Sequence, residues 1–328
     1  MRRVLKIILR SVLVLLALVL IGTWFLVTQP VLKGGADFRY DAPDVAPDRL
    51  LTLVQTLTDD FFPRDITHPA NLDSAATWIA GHLSDAGGRL SEQVYRVEGA
   101  DYRNVIARFG PDTRERLVIG AHYDVCGERP GADDNASAVA GLIELARLIG
   151  QADWPLTIEL VAYTLEEPPK FRTSDMGSHR HAEALAAEGV PLRAMICLEM
   201  IGYFDDAPDS QEYPVGIMKL FYPTRGDYIA VIGKLGQGGI TRNVKQAMKC
   251  ATELPVRSMN APASIPGIDF SDHLNYWAAG YEAVMITDTA FYRNPNYHEI
   301  TDTWDTLDYD RMAMVVQGVY AAVRHLAR

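Results

Sequence analysis

The sequence predicts an α/β protein: a three-layer αβα sandwich with a mixed, mostly parallel central sheet, behind an N-terminal transmembrane helix. Three observations predict it. From residue 49 onward, short apolar runs alternate with segments of helical periodicity, which implies a largely parallel sheet covered on both faces. Two early runs, "LSEQVYRV" and "YRNVIARF", read as directly paired strands. The start of the chain is instead one long uncharged apolar stretch behind a basic flank.

That flank carries Arg2, Arg3, Lys6 and Arg10. The apolar run from Ser11 to Thr28 is near the length that crosses a bilayer. Trp24 and Phe25 suit an interfacial belt, and the basic flank belongs on the cytoplasmic side. A cleaved signal peptide is the competing reading; the long apolar core and the lack of an A-x-A site speak against it. Residues 1–28 are therefore expected to be a cytoplasmic flank and single-pass anchor, with the body extracytoplasmic, in the periplasm or outside the cell. Residues 29–48, "QPVLKGGADFRYDAPDVAPD", read as a linker. No second linker and no internal repeat follows, so residues 49–328 form one domain. The 328 residues are 48% hydrophobic and 22% charged, which are globular values. The net charge of -11 makes nucleic acid an unsuitable partner.

Within the domain, "PDRLLTLVQTLTDDF" and "NLDSAATWIAGHLSDAG" read as helices, the second closed by glycine. After the paired strands, "RLVIGAHYD" is a buried strand. "DNASAVAGLIELARLIG" is a helix with Val139, Leu142, Ile143, Ala146 and Ile149 on one face. "LTIELVAYTL" is a strand running into Glu166 and Glu167, where Pro168 and Pro169 block further pairing. Helix "HAEALAAEG", strand "RAMICLEMIGY", strand "DYIAVIGK", helix "TRNVKQAMKCA" and short strand "PVRSM" come next. Helix "DHLNYWAAG", strand "EAVMITDTA" and helix "DYDRMAMVVQGVYAAVRHLA" complete the pattern. Cys126, Cys197 and Cys250 do not make a disulfide framework, and Cys197 reads as a small core residue.

In such sheets sites form beyond the carboxyl ends of the strands. Those ends carry ligand-type side chains: His122 and Asp124, then Asp133 and Asp134 in the next loop, Glu166 and Glu167, and Glu199. His298 follows late in the chain. Histidine nitrogens and carboxylates in this mixture suit zinc, and a pair of zinc ions could share one carboxylate. Two adjacent glutamates then make sense if they serve two different targets.

"GAHYDV", "GADDNAS", "EE", "CLEMIGY", "SDH" and "YHEITDTWDTLDY" together resemble the zinc peptidase family of the secreted bacterial leucyl aminopeptidases and glutamate carboxypeptidase, the co-catalytic dizinc exopeptidases. The resemblance runs from about Leu50 to the C-terminus. It implies two zinc ions per chain. His122 and Glu199 would bind the first, Glu167 and His298 the second, with Asp134 bridging both. It also implies a cis Asp134–Asn135 peptide, Asp124 as support for His122, and Glu166 as general base. The substrate would be a peptide or small amide, and an aminopeptidase is the leading expectation.

The sequence departs from the family after the glutamates, where "PPKFRTSDMGS" is longer than the usual glycine-rich turn. Lys170 and Arg172 in it read as surface groups. Asp272 and His273 are expected to line the site, with a helix N-cap and a core histidine as the alternatives. Arg225 and Arg293 are candidates for a substrate carboxylate. Two other functions remain open: a glutaminyl-cyclase-like acyltransferase, which works with one zinc, and a metal-free binding ectodomain.

Overall fold

The computed structural model describes residues 2–32 and 42–328. Its strands are β1 (Arg89–Val97), β2 (Ala100–Phe109), β3 (Arg116–His122), β4 (Thr157–Tyr163), β5 (Leu192–Glu199), β6 (Ile229–Lys234), β7 (Val256–Ala261) and β8 (Ala283–Thr287). They form one sheet in the order β1-β2-β4-β3-β5-β8-β6-β7. β4, β3, β5 and β8 run parallel, whereas β1–β2, β2–β4 and β6–β8 are antiparallel. The register aligns His122 with Tyr163 and Glu199 with Thr287. The carboxyl ends of the four central strands therefore open on one edge.

Alternation along β3 builds two cores. Leu117, Ile119 and Ala121 face a layer formed by α2 (Pro47–Asp59), α3 (Pro69–Asp85), α4 (Ala138–Gly150), α6 (Gly238–Ala251) and α8 (Tyr309–Leu326). Val118 faces the thinner layer of α5 (Gly177–Ala187) and α7 (His273–Ala278). Gly120 is required here: a Cβ would lie 2.2 Å from the Tyr163 ring. Asp308 caps α8 by accepting from the Arg311 N–H at 2.9 Å.

Three local differences from expectation matter. β4 stops at Tyr163, because Leu165 takes a positive φ of 60° and turns the chain before the glutamates. The helix expected from Asp134 begins at Ala138. Ala132–Ser137 is a wide turn in which Asp134 and Asn135 have non-helical dihedrals and share a cis peptide. α5 starts at Gly177, whose N–H donates to the Thr164 oxygen at 2.7 Å and whose missing Cβ leaves room for Asn104.

The N-terminal helix α1 (Arg2–Thr28) has an exposed apolar surface along its span. Its end is not free. Lys245 Nζ donates to the Thr28 oxygen at 2.7 Å and to the Gln29 oxygen at 3.2 Å, and Ser258 Oγ donates to Thr28 at 2.7 Å. Arg242 binds the Gln29 side chain at 2.8 Å. α6 and β7 thus satisfy terminal carbonyls that a helix leaves unpaired. Residues 29–31, expected in the linker, lie against the domain, while Leu32 is exposed; residues 33–41 of that expected linker are outside the described residues.

Candidate metal centre

β3 delivers His122, and the last residue of β5, Glu199, lies 3.3 Å from its Nε2. The wide turn before α4 lifts Asp134 between two histidines. Its Oδ1 lies 3.5 Å from His122 Nε2, and its Oδ2 lies 3.1 Å from His298 Nε2. Glu167 Oε2 sits 3.3 Å from the same His298 nitrogen. Two clusters result, one of His122, Asp134 and Glu199 and one of Glu167, His298 and Cys126; the donor atoms within each lie within 4.8 Å of one another. Glu166 approaches His122 Nε2 at 3.8 Å but belongs to neither cluster. Leu165, Met200 and His298 all hold positive φ beside these ligands. Such conformations cost roughly 1–3 kcal/mol each and cluster at functional sites.

The supporting hydrogen bonds are specific. The Asp124 carboxylate accepts the Glu166 N–H at 3.1 Å and the Glu167 N–H at 3.0 Å. Support for His122 comes from the Asp124 backbone oxygen, 3.1 Å from Nδ1, with the nearer carboxylate oxygen 3.6 Å away. Ser271 Oγ donates to Glu199 at 2.6 Å. Asp302 receives the N–H groups of Asp133 and Asp134 at 2.9 and 3.1 Å. Asn135 binds the Leu198 oxygen at 3.2 Å and the Met200 N–H at 2.9 Å, which ties the wide turn to the end of β5. The Tyr297 ring stacks on His298 with centroids 3.8 Å apart.

The electrostatics are those of a site built for cations. Burial would lower both imidazoles, but Glu199 and Glu166 raise His122 well above its usual range, and Asp134, Cys126 and Glu167 raise His298. Burial raises Glu166, with His122 opposing and Glu167 and Glu199 reinforcing the rise. Burial and Asp134 push Glu167 up to about 8. His122 Nε2, His298 Nε2, Asp134 Oδ1 and Glu167 Oε1 are buried atoms without a hydrogen-bond partner among the described residues. Orphaned buried polar atoms are rare and costly. Nitrogen and carboxylate donors left open in this way fit zinc.

The four expected substrate residues fare differently. Asp272 is fully buried behind the site, feels the His122 charge, and is raised to about 7, chiefly by burial. Neither of its oxygens has a partner among the described residues, and it makes no side-chain cap. His273 does not line the site. Its Nε2 lies 2.8 Å from the Ile268 oxygen, its ring packs on Trp277, and burial lowers it to about 4. Arg293 is also in the interior, bonded to Gln211 at 2.9 Å and stacked between Phe204 and Tyr228. Arg225 is exposed and lies off the cleft. That cleft opens beside Glu199 and is walled by Tyr213, Tyr222, Phe270, Phe291 and Tyr292, with exposed Arg257 at its edge. Lys170, expected at the surface, is buried and pairs with Glu98 and Asp175, while Arg172 pairs with Asp269.

The sequence reading missed Ser271, Asp302, Asn135 and Cys126. The first three lay inside the motifs "SDH", "TDT" and "DDNAS", which were the available signals.

Comparison with known proteins agrees with this geometry. The model of peptidase family M28 matches residues 104–323, a span that includes every candidate ligand described above. "Uncharacterized protein YfbL" of Escherichia coli is 47% identical over 282 residues, covering 84% of this chain and 86% of that protein. "Probable leucine aminopeptidase" of Arthroderma otae is 25% identical, covering 89% of this chain and 77% of its own length. Among solved structures, a zinc aminopeptidase from Bacillus subtilis superposes with a TM-score of 0.68 at 13% identity, covering 87% and 95% of the two chains. A glutaminyl cyclase of Bacteroides thetaiotaomicron superposes with a TM-score of 0.64 at 21% identity, covering 86% and 98%. These two structural likenesses speak to the fold. With the family model spanning β3 to β8 and every candidate ligand, the chain belongs to peptidase family M28 and is a zinc metallopeptidase.

Proposed function

We propose that the protein is a membrane-anchored aminopeptidase that works with two zinc ions per chain. One observation carries the two-ion reading: Asp134 turns one carboxylate oxygen toward His122 and the other toward His298. His122 and Glu199 would hold one ion, Glu167 and His298 the other, with Asp134 shared. Zinc, when bound, supplies Lewis acidity and lowers the pKa of a water toward neutrality. Glu166, buried next to both clusters but a member of neither, is placed to accept a proton and return it to the leaving amine. Asp124 holds it there by fixing the backbone of both glutamates. The surplus of carboxylates suits the amino group of a substrate better than a carboxylate. The aromatic wall of the cleft suits an apolar N-terminal side chain.

The glutaminyl-cyclase reading shares the fold but needs only one ion, and it gives no role to the second cluster. A binding ectodomain would give no role to either. The anchor reading is supported by the 24-residue apolar span Leu5–Thr28 and by the fixed end of α1. The test is zinc content measured alongside a screen of free and N-blocked dipeptides. We expect two zinc ions, loss of activity on chelation, and hydrolysis confined to free N-termini. Cyclisation of N-terminal glutamine would replace the aminopeptidase reading with the cyclase, and full activity without metal would remove both.

A further inference from the structure

The structure holds a cysteine where neither the family resemblance nor the ligand set calls for one. Cys126 follows β3, four residues after His122, on the loop that passes the second cluster. Its Sγ lies within 4.8 Å of ligand atoms of both Glu167 and His298. It is unpaired and only partly exposed. Its position is fixed from outside. Arg129 Nη1 donates to the Cys126 oxygen at 3.0 Å, and Arg129 Nε donates to the His298 oxygen at 2.5 Å. One guanidinium thus staples the thiol's loop to the histidine's loop. An independent observation points to a ligand at the same place. Glu167, 5% exposed, has Oε1 buried without a partner, and His298 Nε2 has none either. A carboxylate oxygen, an imidazole nitrogen and a sulfur lie within 4.8 Å of one another, and Glu167 and His298 each keep a buried atom without a hydrogen-bond partner among the described residues.

We propose that Cys126 is a ligand of the second zinc ion, which it binds as thiolate together with Glu167, His298 and Asp134. The inference rests on the two-ion reading above. The S–H bond of Cys126 would break with its proton passing to solvent, and an S–Zn bond would form in place of one water on the ion. A thiolate makes the second site softer than the first, so it favours zinc over manganese or magnesium. It also makes the second ion the one that is lost when the thiol is oxidised or alkylated.

Two measurements on the full chain test this. The first is absorption after replacing zinc by cobalt. A thiolate ligand gives an intense near-ultraviolet sulfur-to-cobalt band, expected in the native protein and absent in Cys126→Ser. The second uses the unmodified protein alone: the rate of iodoacetamide labelling at each cysteine, with zinc and after chelation. Zinc should slow labelling of Cys126 at least tenfold and leave Cys250 unchanged. In Cys126→Ser the second zinc should bind about 10–100-fold more weakly or worse, since removing even an outer partner of a ligand has that effect. Two bound ions with no thiolate band and equal labelling rates would overturn the role of Cys126 and leave the two-ion reading standing. One bound ion that carries the band would overturn the two-ion reading and keep the cysteine as a ligand. One ion without the band would overturn both.

Discussion

Glu166 and Glu167 are adjacent in sequence yet stand in different surroundings. Glu167 shares His298 with Asp134, while Glu166 lies on the His122 side, outside both clusters. Glu166→Gln keeps shape but cannot accept a proton. It should retain both metals and lose roughly 10²–10⁴-fold in turnover, the usual worth of a general base. Glu167→Gln should bind one zinc weakly and recover in part when zinc is added. Metal analysis beside steady-state rates separates the two, and the reverse pattern would exchange their roles. Asp124 acts through both. Asn in its place still accepts one N–H but turns an amide toward the other. Asp124→Asn should therefore lower turnover about 10–100-fold, the range for a partner that orients ligands, with two ions still bound at saturating zinc. Unchanged turnover would mean that the backbone clamp is not needed.

At the scale of elements, β4 carries a polar residue inside the sheet. Glu159 is buried and binds Arg108 at 2.5 Å and Arg116 at 3.0 Å, with His181 of α5 at 3.2 Å. It links β2, β3 and α5. Burial pushes its carboxyl up, but the His181 contact and Arg108 outweigh burial and bring it down from 4.5 to about 2. Its folded value lies below the unfolded one, so its contribution is complete above about pH 4.5 and is lost as pH falls toward 2. The shift corresponds to about 3 kcal/mol. Glu159→Gln should lower the urea midpoint clearly at pH 7, and the gap from native protein should close between pH 4.5 and 2. A gap that stays constant with pH would show that packing, not charge, is what the residue contributes.

The same elements show what a sequence makes legible. Strand–helix alternation and ligand-type residues at strand ends are local signals, so the sheet and the positions of the candidate ligands could be read directly. The left-handed turn at Leu165 could not, because leucine rarely takes positive φ and only the surrounding structure imposes it. Ser271 and Asp302 act across 72 and 169 residues, so nothing next to them in sequence reveals their partners. Arg293 and His273 were misplaced for a related reason. Both polar types are usually exposed or functional, yet each is held in the interior by a hydrogen bond and a ring contact.

The whole molecule joins a domain to an apolar helix through a short, bonded contact. A chain shortened to begin at Gly35 should be soluble and active, whereas the full chain should fractionate with membranes. Recovery of native protein from the soluble fraction, trimmed near residue 28, would show a cleaved signal instead. The shortened chain also loses the Thr28 and Gln29 carbonyls that occupy Lys245 and Ser258. It should melt below a chain that begins at Thr28, by about 2–4 °C for each kcal/mol contributed. Equal melting temperatures would show that this contact adds no stability. For a chain held in a bilayer by α1, the contact has a further consequence. A body on a slack tether swivels and samples a hemisphere. A body bonded to the last turn of its own membrane helix keeps one height and one bearing above the lipid. Its cleft would then meet only what diffuses past at that height. Flexible residues inserted after Thr28 would change which peptides reach the cleft without changing how fast a small free dipeptide is cut.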